Sequence, residues 1–263
     1  MILGDPKKID LSISSFDALR SDNKLYVDKT RFIEHFLNEP NSVQLIVRQR
    51  RLGKSLNIDM LRCFLTEKED NRALFTGTYI ETRPVWERVN SSPVFLFDFK
   101  NLSETKYSLQ IFKQIHEYVS FYVNAYKLDE HLRMSYEMFK SDPKDCTDGL
   151  LFLTEIVYKT TGKRSYILID EYDKLLADNY NTKYYDEIKT FETHLFSAGL
   201  KGNAYLKKAL LTGVMRVSRE SMLSGLNNLV TYDLFSDQIY TEDFGLTDEE
   251  IDELQGIYHF DKA

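Results

Sequence analysis

Val43-Gln44-Leu45-Ile46-Val47-Arg48-Gln49-Arg50-Arg51-Leu52-Gly53-Lys54-Ser55-Leu56 is an apolar run followed by a basic loop that ends in Gly-Lys-Ser. The pattern predicts a strand over 43–47, a tight loop, and a helix over 55–65. Such a succession builds a phosphate cradle. The loop's N–H groups and the helix N-terminus point at one spot, and both favour an anion there. Lys54 supplies a compact positive charge for the outer phosphates, and the Ser55 hydroxyl can ligate Mg²⁺. Residues 48–56 (Arg48, Gln49, Arg50, Arg51, Leu52, Gly53, Lys54, Ser55, Leu56) are therefore the expected nucleoside-triphosphate contacts. The full pattern is G-x-x-x-x-G-K-[ST], and Arg48 stands at its first glycine. The bland alternative is a helix start with an exposed lysine and a capping serine. The three arginines weigh against it, because like charges crowd together cheaply only around an anion or paired with carboxylates.

A second stretch carries the argument further. Ser165-Tyr166-Ile167-Leu168-Ile169-Asp170-Glu171 is an apolar run closed by two acids. An all-apolar run suits a strand buried on both faces of a parallel sheet. The C-terminal ends of such strands are where open α/β sheets place ligands. Asp170 there can hold Mg²⁺ through water, and Glu171 can orient or deprotonate an attacking water. The alternative is a strand ending in a solvated acidic turn, which Asp173 and Lys174 also suit. The two motifs in this order make the nucleotide reading the stronger one.

Composition sets limits. The chain has 263 residues, 43% hydrophobic and 29% charged, with a net charge of −7. That is the profile of a soluble globular protein, with room for one large α/β domain or two small ones. The acidic balance gives no reason to expect nucleic-acid binding by the surface as a whole. Cys63 and Cys146 lie far apart without metal-type spacing, so buried thiols are expected rather than a zinc site or disulfide. The first ten residues lack the apolar core of a signal peptide, and no run is long enough to span a membrane. A reducing, intracellular and by default cytoplasmic compartment is the expectation.

Five strands are expected, over 43–47, 93–99, 165–171, 206–214 and 229–235. Residues 15–37 read as two short helices, with Thr30 or Asp28 capping the second. Residues 104–162 read as a long helical elaboration ending in a helix that starts at Thr147 or Asp148 and stops at Gly162. Its aromatic stripe reads as core. A helix is expected from Lys183 to near Gly199, a short one over 218–226, and a last one opening at Thr247-Asp248-Glu249-Glu250. Alternating strands and helices argue for a mainly parallel sheet.

Several further residues are candidates. Thr212, near the end of the fourth strand, could contact the γ-phosphate or position water; a strand-end turn with Gly213 explains it equally. Arg216 or Arg219 could reach the phosphates, or a neighbouring subunit's site in a homo-oligomer, although exposed arginines are more often structural. Asp98 could lie near the site or serve an ordinary turn. None of the five histidines falls in a ligand or triad spacing.

Tyr26-Val27-Asp28-Lys29-Thr30, the Arg50-to-Leu56 stretch and Ile169-Asp170-Glu171-Tyr172-Asp173-Lys174 resemble the AAA-ATPase-like family often fused to a PD-(D/E)XK nuclease-like domain. Leu211-Thr212-Gly213-Val214, Ser224-Gly225-Leu226-Asn227-Asn228-Leu229 and Phe244-Gly245-Leu246-Thr247 resemble it as well. The resemblance implies an α/β P-loop NTPase of ASCE/AAA type: a five-stranded sheet, order 5-1-4-3-2, flanked by helices and carrying the elaboration between strands 2 and 3. It implies ATP and Mg²⁺ as cofactors, with Ser55 and Asp170 serving the metal. The implied catalytic set is Glu171, Lys54 and Thr212 as sensor, and Arg216 joins it as the candidate arginine named above. It divides the chain into an N-terminal helical segment (1–40), the ATPase core (41–240, with 101–162 largely helical) and the start of a truncated lid or linker (241–263). The nuclease-like domain is missing from this chain, and either that domain or a protein partner is implied. Members usually show Pro and Phe around the paired arginines, where this chain has Gln49 and Leu52. Gln49 restores an N–H and frees φ.

The expected function is Mg²⁺-dependent ATP hydrolysis coupled to a conformational or assembly change. The alternatives are a nucleotide-binding switch or interaction module with weak catalysis and, ranked last, phosphoryl transfer to a small acceptor. An acidic pair after a strand suits water activation better than the last of these.

Overall fold

The computed structural model describes residues 1–214, 223, 226–236 and 238–259. They form two compact units. The first, the loop unit, comprises Met1–Pro40, Arg48–Ser91 and Tyr232–Ala263; the second, the sheet unit, comprises Asn41–Val47 and Ser92–Thr231.

In the loop unit, two two-residue strands, β1 (Ile2–Leu3) and β2 (Tyr26–Val27), pair antiparallel. The sequence pattern did not suggest them, since two residues carry no periodicity. Helix α1 (Phe16–Ser21) is capped by the Ser15 side chain, which accepts from the Ala18 N–H. Helix α2 (Arg31–Asn38) buries Phe32, Ile33, Phe36 and Leu37, one face of a 3.6-residue period. Thr30 holds its N-cap position, but its hydroxyl accepts from the Ile80 N–H instead of capping the helix. Helix α3 (Lys54–Leu65) follows the Gly-Lys-Ser loop. Phe16 and Phe64 pack on Phe75 with ring centroids 5.1 Å and 5.4 Å away. Each such ring contributes about 1.5–3 kcal/mol by leaving water. Asp59 of α3 ties the helices together, accepting from the Phe16 N–H at 2.8 Å and from Arg62 Nε at 2.7 Å. Cys63 is buried as expected, and that burial pushes its thiol up to about 12, which makes it inert.

The sheet unit is built on β3 (Val43–Val47), β4 (Val94–Asp98), β5 (Ser165–Asp170), β6 (Leu206–Gly213) and β7 (Leu229–Tyr232). The extra β1 and β2 make β3 the first of the five expected strands. The sheet order is β4-β5-β6-β3-β7, and β4, β5, β6 and β3 run parallel. Every residue of β3 and β5 is buried, which is why both read as continuous apolar runs. The register levels their C-terminal ends: Val47 pairs with Gly213, Ile169 with Leu211, and Asp170 with Asp98. Strand β7 stops at Tyr232, short of the expected Phe235. The Asp233 carboxylate turns the chain there by accepting from the Phe235 and Ser236 N–H groups.

Helices α4 (Tyr107–Ala125), α5 (Glu130–Ser141) and α6 (Gly149–Thr161) make up the expected elaboration, and Gly162 ends α6 at φ 73°. The stripe Tyr107, Ile111, Ile115, Val119 and Tyr122 is core, as the spacing implied. A five-residue helix, α7 (Lys174–Asp178), was not foreseen; α8 (Tyr185–Leu200) follows it. The short helix expected over 218–226 lies outside the described residues, Leu223 and Leu226 apart. Helix α9 (Asp248–Tyr258), in the loop unit, begins with the expected capping box between Thr247 and Glu250. Among the described residues, no helix is long and apolar enough to cross a membrane.

Candidate functional site

The Gly-Lys-Ser loop leaves β3 at Val47, and its last residues set up α3. Gly53 caps that helix at φ 79° and ψ 13°, a left-handed conformation that costs any residue with a Cβ about 1–2 kcal/mol. Nothing lies within 4 Å of where a Cβ would stand, so backbone conformation, not space, calls for glycine. Arg51 is also left-handed, at φ 69°. No acid occupies the first turn of α3 and no side chain caps it, so its positive end is not neutralised locally. Gln49, Arg50, Arg51 and Gly53 are exposed; Leu52, Ser55 and Leu56 are half-buried. Lys54 is 6% exposed, and its Nζ donates to the Gln49 carbonyl at 2.9 Å, inside the loop's own curve.

Arg48 departs from expectation. Its guanidinium, read from sequence as a phosphate contact, is turned inward. It donates to the carbonyls of Tyr232 and Tyr240 and lies over the Phe244 ring. A buried cation satisfied by carbonyls and an aromatic face has no reason to face the loop's mouth. Beside it, Asn57 of α3 donates to the Asp243 carbonyl at 2.8 Å. The Asp243 carboxylate holds His35 Nδ1 at 2.7 Å, and this contact raises the His35 pKa above its ordinary 6.5. The other described histidines gather no ligand set.

In the sheet unit, Asp170 ends β5 and is 7% exposed. Its Oδ1 accepts from the Thr212 hydroxyl at 2.5 Å and from the Glu171 N–H at 3.0 Å. No described residue bonds its Oδ2. Glu171 leaves the strand at φ 51°, a strained conformation for a residue with a side chain. Partial burial raises its pKa above 4.5 and the Asp170 charge adds to the rise, while Lys100 and Lys174 pull it back. Asp98 pairs in register with Asp170, yet its carboxylate accepts from the Lys100 N–H at 2.7 Å, so it serves a turn at the same strand edge.

Asp173, which the sequence suited to a solvated acidic turn, is instead buried and completes this turn. Asp173 is 3% exposed, and its Oδ2 accepts from the Val214 N–H at 2.9 Å. With the Tyr172 N–H donating to the Thr212 carbonyl, the turn after β5 is stitched to the end of β6. Gly213 is required there, because a Cβ would come within 2.6 Å of Asp173 Oδ1 and of the Tyr172 ring. The signal was faint: an acid three residues after Asp170, with a Gly after Thr212. Glu192 of α8 is fully buried, neither of its oxygens has a hydrogen-bond partner among the described residues, and burial pushes its pKa well above 4.5. Arg216 and Arg219 lie outside the described residues.

The loop's residues suit an anion, and Asp170, in its own unit, suits a hydrated cation. The loop is exposed, left-handed at two positions and backed by an open helix N-terminus. Among the described residues, the hydrogen bonds to the Asp170 carboxylate reach Oδ1. Among the described residues, no group of three His, Cys, Asp or Glu side chains could hold a metal by itself. The Asp170 carboxylate and the Ser55 hydroxyl are each an oxygen ligand of the kind Mg²⁺ accepts.

A five-stranded parallel α/β sheet flanked by helices, with a Gly-Lys-Ser loop after one strand and an Asp-Glu pair after another, defines a protein of P-loop-like fold. The family model described as "Predicted AAA-ATPase" matches residues 10–223, and the chain belongs to that family. A curated relative, "Uncharacterized protein in vnfD 5'region" of Azotobacter chroococcum mcd 1, is 29% identical over 248 residues. The match covers 94% of this chain and 44% of that protein, so the chain spans less than half of the relative's length. No solved structure matches.

Proposed function

We propose that this protein is a Mg²⁺-dependent ATPase whose phosphate loop and Asp170–Glu171 pair serve one nucleotide, with turnover coupled to a conformational or assembly change. The observation that carries the reading is the Thr212–Asp170–Glu171 cluster at the C-terminal end of the sheet. Thr212 stands on β6, the strand paired with β3, and Asp170 on β5 beyond it.

Lys54 Nζ exchanges the Gln49 carbonyl for the β- and γ-phosphates. The loop N–H groups from Gln49 to Ser55 and the start of α3 bind the remaining phosphate oxygens. Ser55 and Asp170 would hold Mg²⁺, which would supply neutralisation of the charge on the phosphates. Thr212 keeps the Asp170 carboxylate in one rotamer. Glu171, its pKa raised toward the working pH, orients a water in line with the γ-phosphate and takes its proton. Arg216 is retained as the candidate counter-charge for the leaving phosphate.

Titration with ATP, with and without Mg²⁺, alongside phosphate release tests this. Glu171→Gln should bind ATP and release no phosphate. Lys54→Ala should weaken binding by about 1.5–3 kcal/mol, the worth of a charged contact. Unchanged affinity in Lys54→Ala discards the reading. A second reading, a nucleotide switch with little turnover, is favoured by Arg48 in place of the first glycine. Tight Mg²⁺-ATP binding without phosphate release above background selects it.

A further inference from the structure

Arg48 occupies the pattern's first glycine position, and only 2% of it is exposed. Its Nη1 donates to the Tyr232 carbonyl at 2.9 Å, and its Nη2 to the Tyr240 carbonyl at 3.4 Å. Its Cζ lies 5.3 Å from the centroid of the Phe244 ring. The far end of the loop is fastened to the same stretch of chain. The Gly245 N–H donates to the Leu52 carbonyl at 3.2 Å. A Cβ on Gly245, which sits at φ +76°, would come within 3.2 Å of Leu52 Cδ2. The following helix is fastened as well, through Asn57 to the Asp243 carbonyl. One segment, 232–245, thus holds the loop at its beginning, at its end and one turn beyond.

We propose that Arg48 is a positioning residue: it binds no phosphate, and its buried guanidinium locks the phosphate loop to segment 232–245, so that nucleotide binding and the placement of that segment are coupled. The inference rests on the proposed nucleotide binding and adds its regulation. Its chemistry is specific to arginine. A planar fork reaches two carbonyls while stacking on an aromatic ring; a lysine ammonium is a point charge that cannot do both. A glycine at position 48 restores the phosphate-loop pattern but removes the lock. Coupling is reciprocal: whatever the segment contributes to the loop's affinity, bound nucleotide returns to the segment.

The test uses the full chain and compares wild type, Arg48→Gly and Arg48→Lys by Mg²⁺-ATP titration and by hydrogen exchange. Arg48→Gly, although it completes the pattern, should lose about tenfold in ATP affinity, the worth of one charge-assisted hydrogen bond. Millimolar guanidinium should restore part of that loss where equal sodium chloride does not. Mg²⁺-ATP should slow exchange across 240–245 in wild type and not in Arg48→Gly. Arg48→Lys, which keeps the charge and serves if the glycine variant does not fold, should fall between. Binding by Arg48→Gly as tight as wild type, or exchange at 240–245 indifferent to Mg²⁺-ATP while ATP binds, overturns the inference. If wild type binds no ATP, the nucleotide reading fails on its own. Arg48 is then judged without ligand: exchange over 49–54 must be faster in Arg48→Gly, and equal rates reject its positioning role.

Discussion

Thr212 is the residue on which the sheet-unit cluster turns. Its hydroxyl is buried and donates to Asp170, while its carbonyl accepts from Tyr172. Thr212→Val keeps the shape and removes the hydroxyl donor, leaving Asp170 Oδ1 with the Glu171 N–H but less firmly held. Phosphate release should fall about ten- to a hundredfold, the range expected for losing a charge-assisted hydrogen bond of about 1.5–3 kcal/mol, with ATP affinity little changed. Glu171 gives a pH prediction. Its pKa lies above 4.5 through burial and the Asp170 charge. The deprotonated base is therefore lost as pH falls through that raised value, earlier than for an ordinary glutamate. The pH profile of kcat should show an acid limb that Glu171→Gln lacks. Gly213→Ala must force the new methyl against Asp173 and Tyr172, and should cost about 1–3 kcal/mol in a urea melt. Lys54, Asp170, Glu171 and Thr212 could be picked out in the sequence because each stands at a fixed offset from an apolar run. Arg48 and Asp173 could not be assigned their contacts, because those contacts join residues far apart in the chain: Arg48 to 232 and 240, Asp173 to 214.

At the scale of elements, legibility followed length and local chemistry. Strands β3 and β5 announced themselves because both faces are buried. Helix α9 was legible from its cap alone, since a Thr and a Glu three residues later satisfy two N–H groups reciprocally. Thr247→Ala should cost about 1 kcal/mol by removing that cap. More is at stake if Glu250 then shifts, because Glu250 also pairs with Lys29 at 2.6 Å. Thermal denaturation compared with Glu253→Ala, on the same helix but outside the cap, separates the cap from general helix effects. Strands β1 and β2 and helix α7 stayed hidden. They are two, two and five residues long, too short for a period to emerge, and long-range pairing decides them.

For the molecule as a whole, the sequence conveyed an α/β chain with a parallel sheet and a phosphate loop, and membership of the Predicted AAA-ATPase family agrees with that. It did not convey how the chain is shared between units. The loop unit takes three separate stretches and the sheet unit two, with a boundary falling between Val47 and Arg48. Reading along a chain proposes contiguous domains; packing need not respect them. The central claim is the proposal that the Gly-Lys-Ser loop and the Asp170–Glu171 pair serve one nucleotide. Its most direct test is phosphate release from Mg²⁺-ATP at saturating nucleotide by wild type, Lys54→Ala, Asp170→Asn and Glu171→Gln. The account predicts release by wild type and a loss of at least about a hundredfold in each variant, the scale of removing one catalytic group. Full release by Asp170→Asn and Glu171→Gln, with loss confined to Lys54→Ala, would contradict it.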